Sequence, residues 1–430
     1  MSFKTQIADW MSDCLTKLEQ KGEISPEQSA SGKEGGATKR FFFRSCATLV
    51  DAAYTFFFSS SEKTSGSVHV RDCNDFKRMM IAVIYALIPC TVFGIYNIGY
   101  QANLLAGGPG GWHGAILNWI NGVAPALGVF SSSNFFGCFV YGLVYYLPIY
   151  ITTMIVGIGI EVVFAAINRH EVNEGFFVTG FIFPLICPAT IPLWQVALAI
   201  AFGTLVGKEI FGGTGRNIFN PALLSRAFLF FAYAGQISGD SVWTAVDGVS
   251  KATPLALASQ GVDGLVCGNY TWWNAFLGLI PGSIGETSTL CCLIGGVYLM
   301  AVGVASWRIG VSMFVGGMGL AWLLQFCGPE FAEAHRAVTL GPCWHFVLGG
   351  FALGMFFMAT DPVTAAQTTK GQYVYGFLIG ALVIVVRVFN PAYPEGVMLV
   401  ILFGNCLAPL IDHVFVEANI RRRMKRLQAK

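Results

Sequence analysis

Three carboxylates lie in or beside long apolar runs. Glu161 follows ITTMIVGIGI, Asp361 precedes Pro362 at the end of LGMFFMATDP, and Asp412 comes late in VMLVILFGNCLAPLID. An ionisable group inside a membrane is expensive and marks an ion path or functional site by default. Carboxylate oxygens, helped by freed backbone carbonyls, suit a small hard cation such as sodium. The competing reading for each acid is a helix-end residue in contact with water. A second constellation is GKEIFGGTGRNIFNPALLSR, in which glycines let the backbone approach closely before Arg216, Asn217 and Asn220. An Asn amide offers donor and acceptor in one plane. That suits the edge of a heterocycle, or the capping of a helix start, with Asn-Pro as a common helix-entry pair. Capping is the simpler reading. A third is the polar stretch DGVSKATP, which sets the hydroxyls of Ser250 and Thr253 between two very apolar regions.

Other chemistries find no support. The glycine-rich stretch is not a P-loop, because G-x-x-x-x-G-K-[ST] is absent. The twelve cysteines are scattered without a C-x-x-C, which argues against a disulfide framework or a Cys-ligated metal. The six histidines are dispersed, with His345 and His413 alone on apolar segments, so neither haem nor zinc is expected. A net charge of +2, with the basic residues mostly at the two ends, gives no nucleic-acid signature.

The elements that must position these residues are membrane helices. Of 430 residues, 54% are hydrophobic and only 12% charged, against roughly 25% charged in a soluble domain. The mean hydropathy is +0.61. A span needs about 20 apolar residues. Ten candidates result: 79–98, 135–163, 176–189, 196–207, 218–234, a stretch within 275–305, 309–327, 346–360, 374–389 and 397–415. Pro148 is a potential break in the second. Residues 1–78 are polar and read as a soluble arm, since Phe41–Phe43 and Phe56–Phe58 are too short to span. The basic tail Arg421–Arg426, and Arg71, Lys77 and Arg78 before the first span, place both ends in the cytoplasm by the positive-inside rule. Ten spans agree. They put Arg169, Lys208, Arg216, Arg308 and Lys370 inside, Lys251 and Arg336 outside as exceptions, and the DGVSKATP loop on the far side.

The chain also repeats itself. FPLICPATIP, ending at Pro192, matches LGMFFMATDP, ending at Pro362; FNPA at 219–222 matches FNPA at 389–392 at the same offset. Phe176, Gly180 and Phe181 match Phe346, Gly350 and Phe351 likewise. The copies start at the third and eighth spans, so an odd number of spans separates them and they run in opposite directions. Short, Pro-interrupted segments at corresponding places in inverted halves point to a central binding site. Their freed backbone groups must be buried in protein or line a polar cavity.

Here the residues carry a resemblance. DGVSKATP resembles the motif D-x-x-[ST]-G-A-T, on which a flavin transferase moves FMN from FAD onto the threonine through a phosphoester. Asp247, Ser250, Ala252 and the acceptor Thr253 match, while Lys251 stands where glycine is usual. HVRDCNDFKRMM, GKEIFGGTGRNIFNPALL, MATDPVTA and FNPAYPEGVMLVILFGNCLAPLID are similar to the membrane flavoprotein subunits of sodium-translocating NADH:quinone oxidoreductases, over roughly residues 68 to 415. The D-type subunits of Rnf complexes are related, but their polar arm is usually shorter.

The resemblance implies an all-α polytopic fold of about ten helices in two inverted repeats, similar to a urea transporter. It implies covalent FMN on Thr253 and non-covalent riboflavin near Asn217 and Asn220. Ubiquinone would be reduced at the cytoplasmic side, near the arm and Gly157. The family often has a second glycine next to Gly157, where this chain has Ile158. Glu161, Asp361 and Asp412 match acids implicated in sodium movement. No nucleotide fingerprint or iron–sulfur cysteines are present, so electrons from NADH would arrive through partner subunits: an NADH-oxidising flavoprotein with an iron–sulfur centre, a second FMN subunit and small membrane subunits. The expected organisation is a cytoplasmic arm (1–78), a first membrane repeat (79–235), a periplasmic loop (236–273), a second repeat (274–416) and a basic cytoplasmic tail (417–430), in a bacterial inner membrane. The rivals are an Rnf-type electron-transport subunit and a urea-transporter-like channel without redox function. The flavin motif separates the channel, which has no need of it.

Overall fold

The computed structural model describes most of residues 76–428, apart from 106–107, 169–174, 238–243, 247–252, 260, 269, 328 and 391–394; of the first 75 residues it describes only Lys17, Ser45, Cys46 and Val50. The expected cytoplasmic arm, Asp247, Ser250, Lys251 and part of the second FNPA copy therefore lie outside the described residues. Among those described there is no strand, and the architecture is all-helical.

The main helices are α1 (Phe76–Leu104), α2 (Gly111–Val123), α3 (Phe135–Asn168), α4 (Gly175–Leu185), α5 (Leu193–Thr204), α6 (Pro221–Ala232), α7 (Pro254–Ala258), α8 (Thr289–Val302), α9 (Trp307–Leu324), α10 (Pro342–Val347), α11 (Thr369–Phe389) and α12 (Val397–Gln428). Six helical stretches are long and apolar enough to cross a membrane: 78–104, 135–167, 193–211, 307–324, 369–389 and 397–428. α4, α6 and α8 are apolar but shorter. Each of the ten expected spans falls on one of these elements or on the interrupted stretch 342–358.

Two interruptions organise the middle of the molecule. α4 ends at Leu185, and a turn through Pro188 and Pro192 leads into α5. In the second half α10 stops at Val347, Gly349 takes φ +63°, and a short helix restarts at Phe351 and continues as a π-turn over Gly354–Met358. A left-handed φ of this kind is free of penalty only for glycine. The segment 283–287 is wedged between the interruptions. Ile284 and Gly285 donate their N–H groups to Cys187 and Leu185 carbonyls, and the Glu286 carboxylate lies against Gly350. Freed backbone groups are thus met inside protein, as a lipid-embedded break requires.

Helix packing relies on small residues. A Cβ on Gly380 would sit 2.0 Å from the Met313 carbonyl oxygen, and one on Gly376 2.2 Å from Ser312 Oγ. These two glycines, four apart on α11, let α9 approach backbone to backbone, the small-xxx-small contact of membrane helices. One large apolar core joins both halves of the chain. A smaller core gathers Leu255, Ala258, Val347, Leu348, Ile384 and Val388, so α7 is seated on the α10 bend and the end of α11.

Two expectations need correction. Pro148 does not break its span: α3 is continuous over 34 residues with Pro148 inside. A membrane helix tolerates the lost N–H, because neighbours and local adjustment satisfy the freed carbonyl. Lys208 is not a loop cation at the water boundary. It sits in a π-turn that continues α5, only 4% exposed.

Candidate functional site

The sequence candidates fall into distinct groups. The first joins the two halves of the chain. Pro221 opens α6 with its φ preset for a helix, and Asn220 is the N-cap, its Oδ1 accepting from the Ala222 N–H at 3.0 Å. Capping leaves the amide nitrogen available, and Asn220 and Asp361 border one small space. Asp361 ends the second interrupted segment. Its Oδ1 accepts from the Val363 N–H at 3.3 Å and its Oδ2 from Thr364 Oγ1 at 2.8 Å, an Asx-type turn that Pro362 reinforces. Capping and a polar site are therefore the same residue here.

Asp361 borders a half-open cleft of about 310 Å³, with Trp307, Arg308, Ser306, Gln367 and Gln372 on its walls. Ser306 Oγ donates to Gln372 Oε1 at 2.9 Å, and the Arg308 guanidinium lies 5.5 Å from the Trp307 ring centre. A smaller space of about 40 Å³ between Asn220, Thr360, Phe356 and Phe357 reaches the same Asp361. Sites for small organic ligands begin near 300 Å³ and combine apolar walls with a few placed polar groups. An indole, a guanidinium, two amides and a carboxylate are chemistry for a planar, heteroatom-edged molecule. The residues present fit such a group.

Asp412 holds the far end of the same turn. It accepts from the Gln367 and Thr368 backbone N–H groups at 2.7 and 2.9 Å and from Thr368 Oγ1 at 2.5 Å. Asp361 and Asp412 thus grip the segment 361–368 from either end. Glu161 is elsewhere. It forms a buried ion pair with Lys208, both side chains no more than 5% exposed. A carboxylate already neutralised by an ammonium is a weak cation ligand unless the lysine moves.

Gly157 is a packing hole: a Cβ there would fall 1.8 Å from Phe176 Cζ. Ile158, the next residue, is half-buried. Asn217 donates locally to the Phe219 carbonyl at 3.1 Å, and Arg216 is exposed beside Gly212. Neither joins the Asn220–Asp361 junction.

Thr253 lies apart from these, as N-cap of α7, its Oγ1 accepting from the Ala256 N–H at 3.2 Å. The space beside it is about 20 Å³ and is bordered by Ser283, Glu286, Thr287, Gly349 and Glu395. Behind this wall is a charge cluster that sequence reading missed. Arg226 Nη2 meets Glu395 Oε2 at 3.3 Å. Arg387 donates to the carbonyls of His345 and Leu348, capping the α10 half-helix, and both arginines act on Glu286. The signal was present. Arg226 and Arg387 are basic residues inside predicted spans, where a cation is as costly as an acid.

A sequence profile described as the NQR2, RnfD, RnfE family matches residues 63–421. The B-type subunit of the Na(+)-translocating NADH-quinone reductase of Chromohalobacter salexigens is 51% identical over 394 residues, 91% of this chain and 93% of its own. The proteins of the same name from Azotobacter vinelandii and Ectopseudomonas mendocina are 49% and 48% identical, each over 92% of this chain and 96% of theirs.

Proposed function

From the premise that the chain belongs to the NQR2, RnfD, RnfE family, we propose that it is the membrane flavoprotein subunit of a sodium-translocating NADH:quinone reductase. Similarity runs over more than nine-tenths of both chains to relatives bearing that name, and this carries the reading. As such it resides in a bacterial inner membrane with both termini cytoplasmic, among an NADH-oxidising flavoprotein subunit, a second FMN subunit and small membrane subunits. The ten-helix, two-repeat organisation is proposed with it. The two interrupted segments, each followed by an apolar helix, support that reading. The proposed boundaries are 79–235, 236–273 and 274–416, with Asn220 of the first membrane part and Asp361 of the second bordering one space.

Riboflavin is placed beside the Asn220–Asp361 junction. Flavins supply one- and two-electron chemistry; the protein supplies position and environment. Here Asn220 and Asp361 offer a donor–acceptor edge, and Trp307 with Arg308 a flat apolar-and-cationic wall. Gly157 and Ile158 are assigned to the ubiquinone region. Asp361 and Asp412, at the two ends of one turn, are assigned to the sodium path. Glu161 joins it through Lys208, whose movement would expose the carboxylate. FMN is assigned to Thr253, with Asp247 and Ser250 as recognition residues of the modification motif. Thr253 is an anchor and takes no part in proton or electron movement.

The test is in-gel fluorescence of the denatured chain from its native host, followed by mass analysis of the Thr253 peptide. FMN mass on Thr253, lost in Thr253→Val without loss of the folded chain, is the expected result. A dark band with an active transferase present would return the chain to a channel-like role.

A further inference from the structure

The assignment of a flavin to Thr253 conflicts with how Thr253 is packed. The residue is 7% exposed. Its hydroxyl is engaged with the Ala256 N–H, and its carbonyl accepts from the Leu257 N–H at 3.0 Å. Pro254 follows as the first helical residue. Leu255 and Ala258, 5% and 1% exposed, lock α7 into the smaller core. Leu255 packs on the bend at Gly349, where any Cβ would meet it at 2.6 Å. The space beside Thr253, about 20 Å³, is on the scale of one water, which needs roughly 10–15 Å³.

Transfer from FAD forms a bond between Thr253 Oγ1 and the FMN phosphorus, breaks the pyrophosphate bond, and releases AMP and the hydroxyl proton. The attacking oxygen must come within about 3–3.5 Å of that phosphorus, with the leaving group in line. A hydroxyl held in this cap, on a residue with so little exposure, does not meet a phosphorus held in another protein's active site without local movement.

We propose that Thr253 is modified only while α7 is lifted from its seat on the Gly349 bend, so that flavin attachment precedes or competes with the final packing of this segment. The proposal rests on the flavin reading of Thr253. Lifting α7 is a local opening, which needs only the Leu255 and Ala258 contacts and one cap to break. It explains why a threonine with good helix-capping geometry can still be an acceptor.

The experiment compares three substrates with the purified flavin transferase and FAD: a peptide of residues 243–260, the full chain in membranes from a host lacking the transferase, and its Leu255→Ala variant. The readout is the initial rate of fluorescence incorporation. The expected result is a rapidly modified peptide, a slow wild-type chain, and a variant at least about tenfold faster than wild type, equivalent to ~1.4 kcal/mol of lost seating. Should Leu255→Ala fail to accumulate, Leu255→Val serves, with a smaller acceleration expected. A wild-type chain modified as fast as the peptide, or a variant no faster than wild type, overturns the proposal and leaves Thr253 as the acceptor. A peptide and a chain that both stay dark overturn the Thr253 assignment itself. A chain modified while the peptide is not would mean that the closed fold is the substrate, and the proposal falls.

Discussion

Arg226 and Glu395, 169 residues apart in the chain, meet at 3.3 Å between guanidinium and carboxylate. Arg226 belongs to α6 in the first half, and Glu395 to the turn before α12 in the second. Arg387 and Glu286 complete a cluster of two positive and two negative side chains behind the Thr253 wall. Like the backbone bonds from Ile284 and Gly285 to the first interruption, it joins the two halves through polar groups.

Removing one member of a buried pair leaves the other uncompensated, at about 3–5 kcal/mol. Arg226→Met is therefore expected to lower the thermal inactivation temperature of the detergent-solubilised complex markedly. Glu395 is a quarter exposed, so the carboxylate that Arg226→Met strands keeps some water, whereas Glu395→Met strands the 4%-exposed Arg226 guanidinium and should cost at least as much. The double variant should recover part of the loss, because neither charge is then stranded. Strictly additive losses would mean that the contact carries no coupling.

Asn220 has two jobs that substitutions can separate. Asn220→Asp keeps an oxygen for the Ala222 N–H but sets a carboxylate against Asp361. Asn220→Ala loses the cap, worth about 1 kcal/mol, and the Asp361 contact together. Both variants should lose non-covalent flavin, measured chromatographically after acid extraction, while covalent fluorescence at Thr253 persists. Full riboflavin content in Asn220→Asp would leave Asn220 as a helix cap alone.

Gly157 owes its size to Phe176. Gly157→Ala forces a methyl into the ring, and overpacking of this kind costs about 1–3 kcal/mol. Pairing it with Phe176→Leu should restore stability. If residue 157 faces quinone, the paired variant will regain thermal stability but keep an altered KM for ubiquinone. Restoration of both would make Gly157 a packing residue only.

How much of this was legible follows from how local each cause is. The six long apolar stretches were readable because apolar length is written along the chain, and the Asn220 cap because Asn-Pro is local chemistry. Lys208 was misplaced because its glycine-rich surroundings resemble a loop, while its partner Glu161 is 47 residues away. Pro148 looked like a break because proline disrupts isolated helices, whereas membrane neighbours tolerate it. The Arg226, Glu286, Arg387 and Glu395 cluster was hidden for the same reason as Lys208: four elements supply one residue each, and no spacing rule joins them. The partner of Asp361 became visible only when α6 and the second interruption were in place.

Asp412 tests whether a residue that shapes a turn also carries an ion. Its two oxygens accept two backbone N–H groups and one hydroxyl from residues 367 and 368. Asp412→Ala strands those donors, at about 1–3 kcal/mol for a buried group left unsatisfied, less here because Gln367 is exposed. Asp412→Asn keeps one acceptor oxygen, enough for the Thr368 pair, and removes the charge, with its NH2 turned to the exposed Gln367 N–H. If the carboxylate helps to bind sodium, Asp412→Asn will shift the sodium titration of quinone reduction to higher concentration with a smaller loss of stability than Asp412→Ala. Asp412→Ala will then lose both stability and sodium response. If Asp412→Asn titrates like wild type, the charge is dispensable, and Asp412 serves to hold the start of α11 in register with the Asp361 turn.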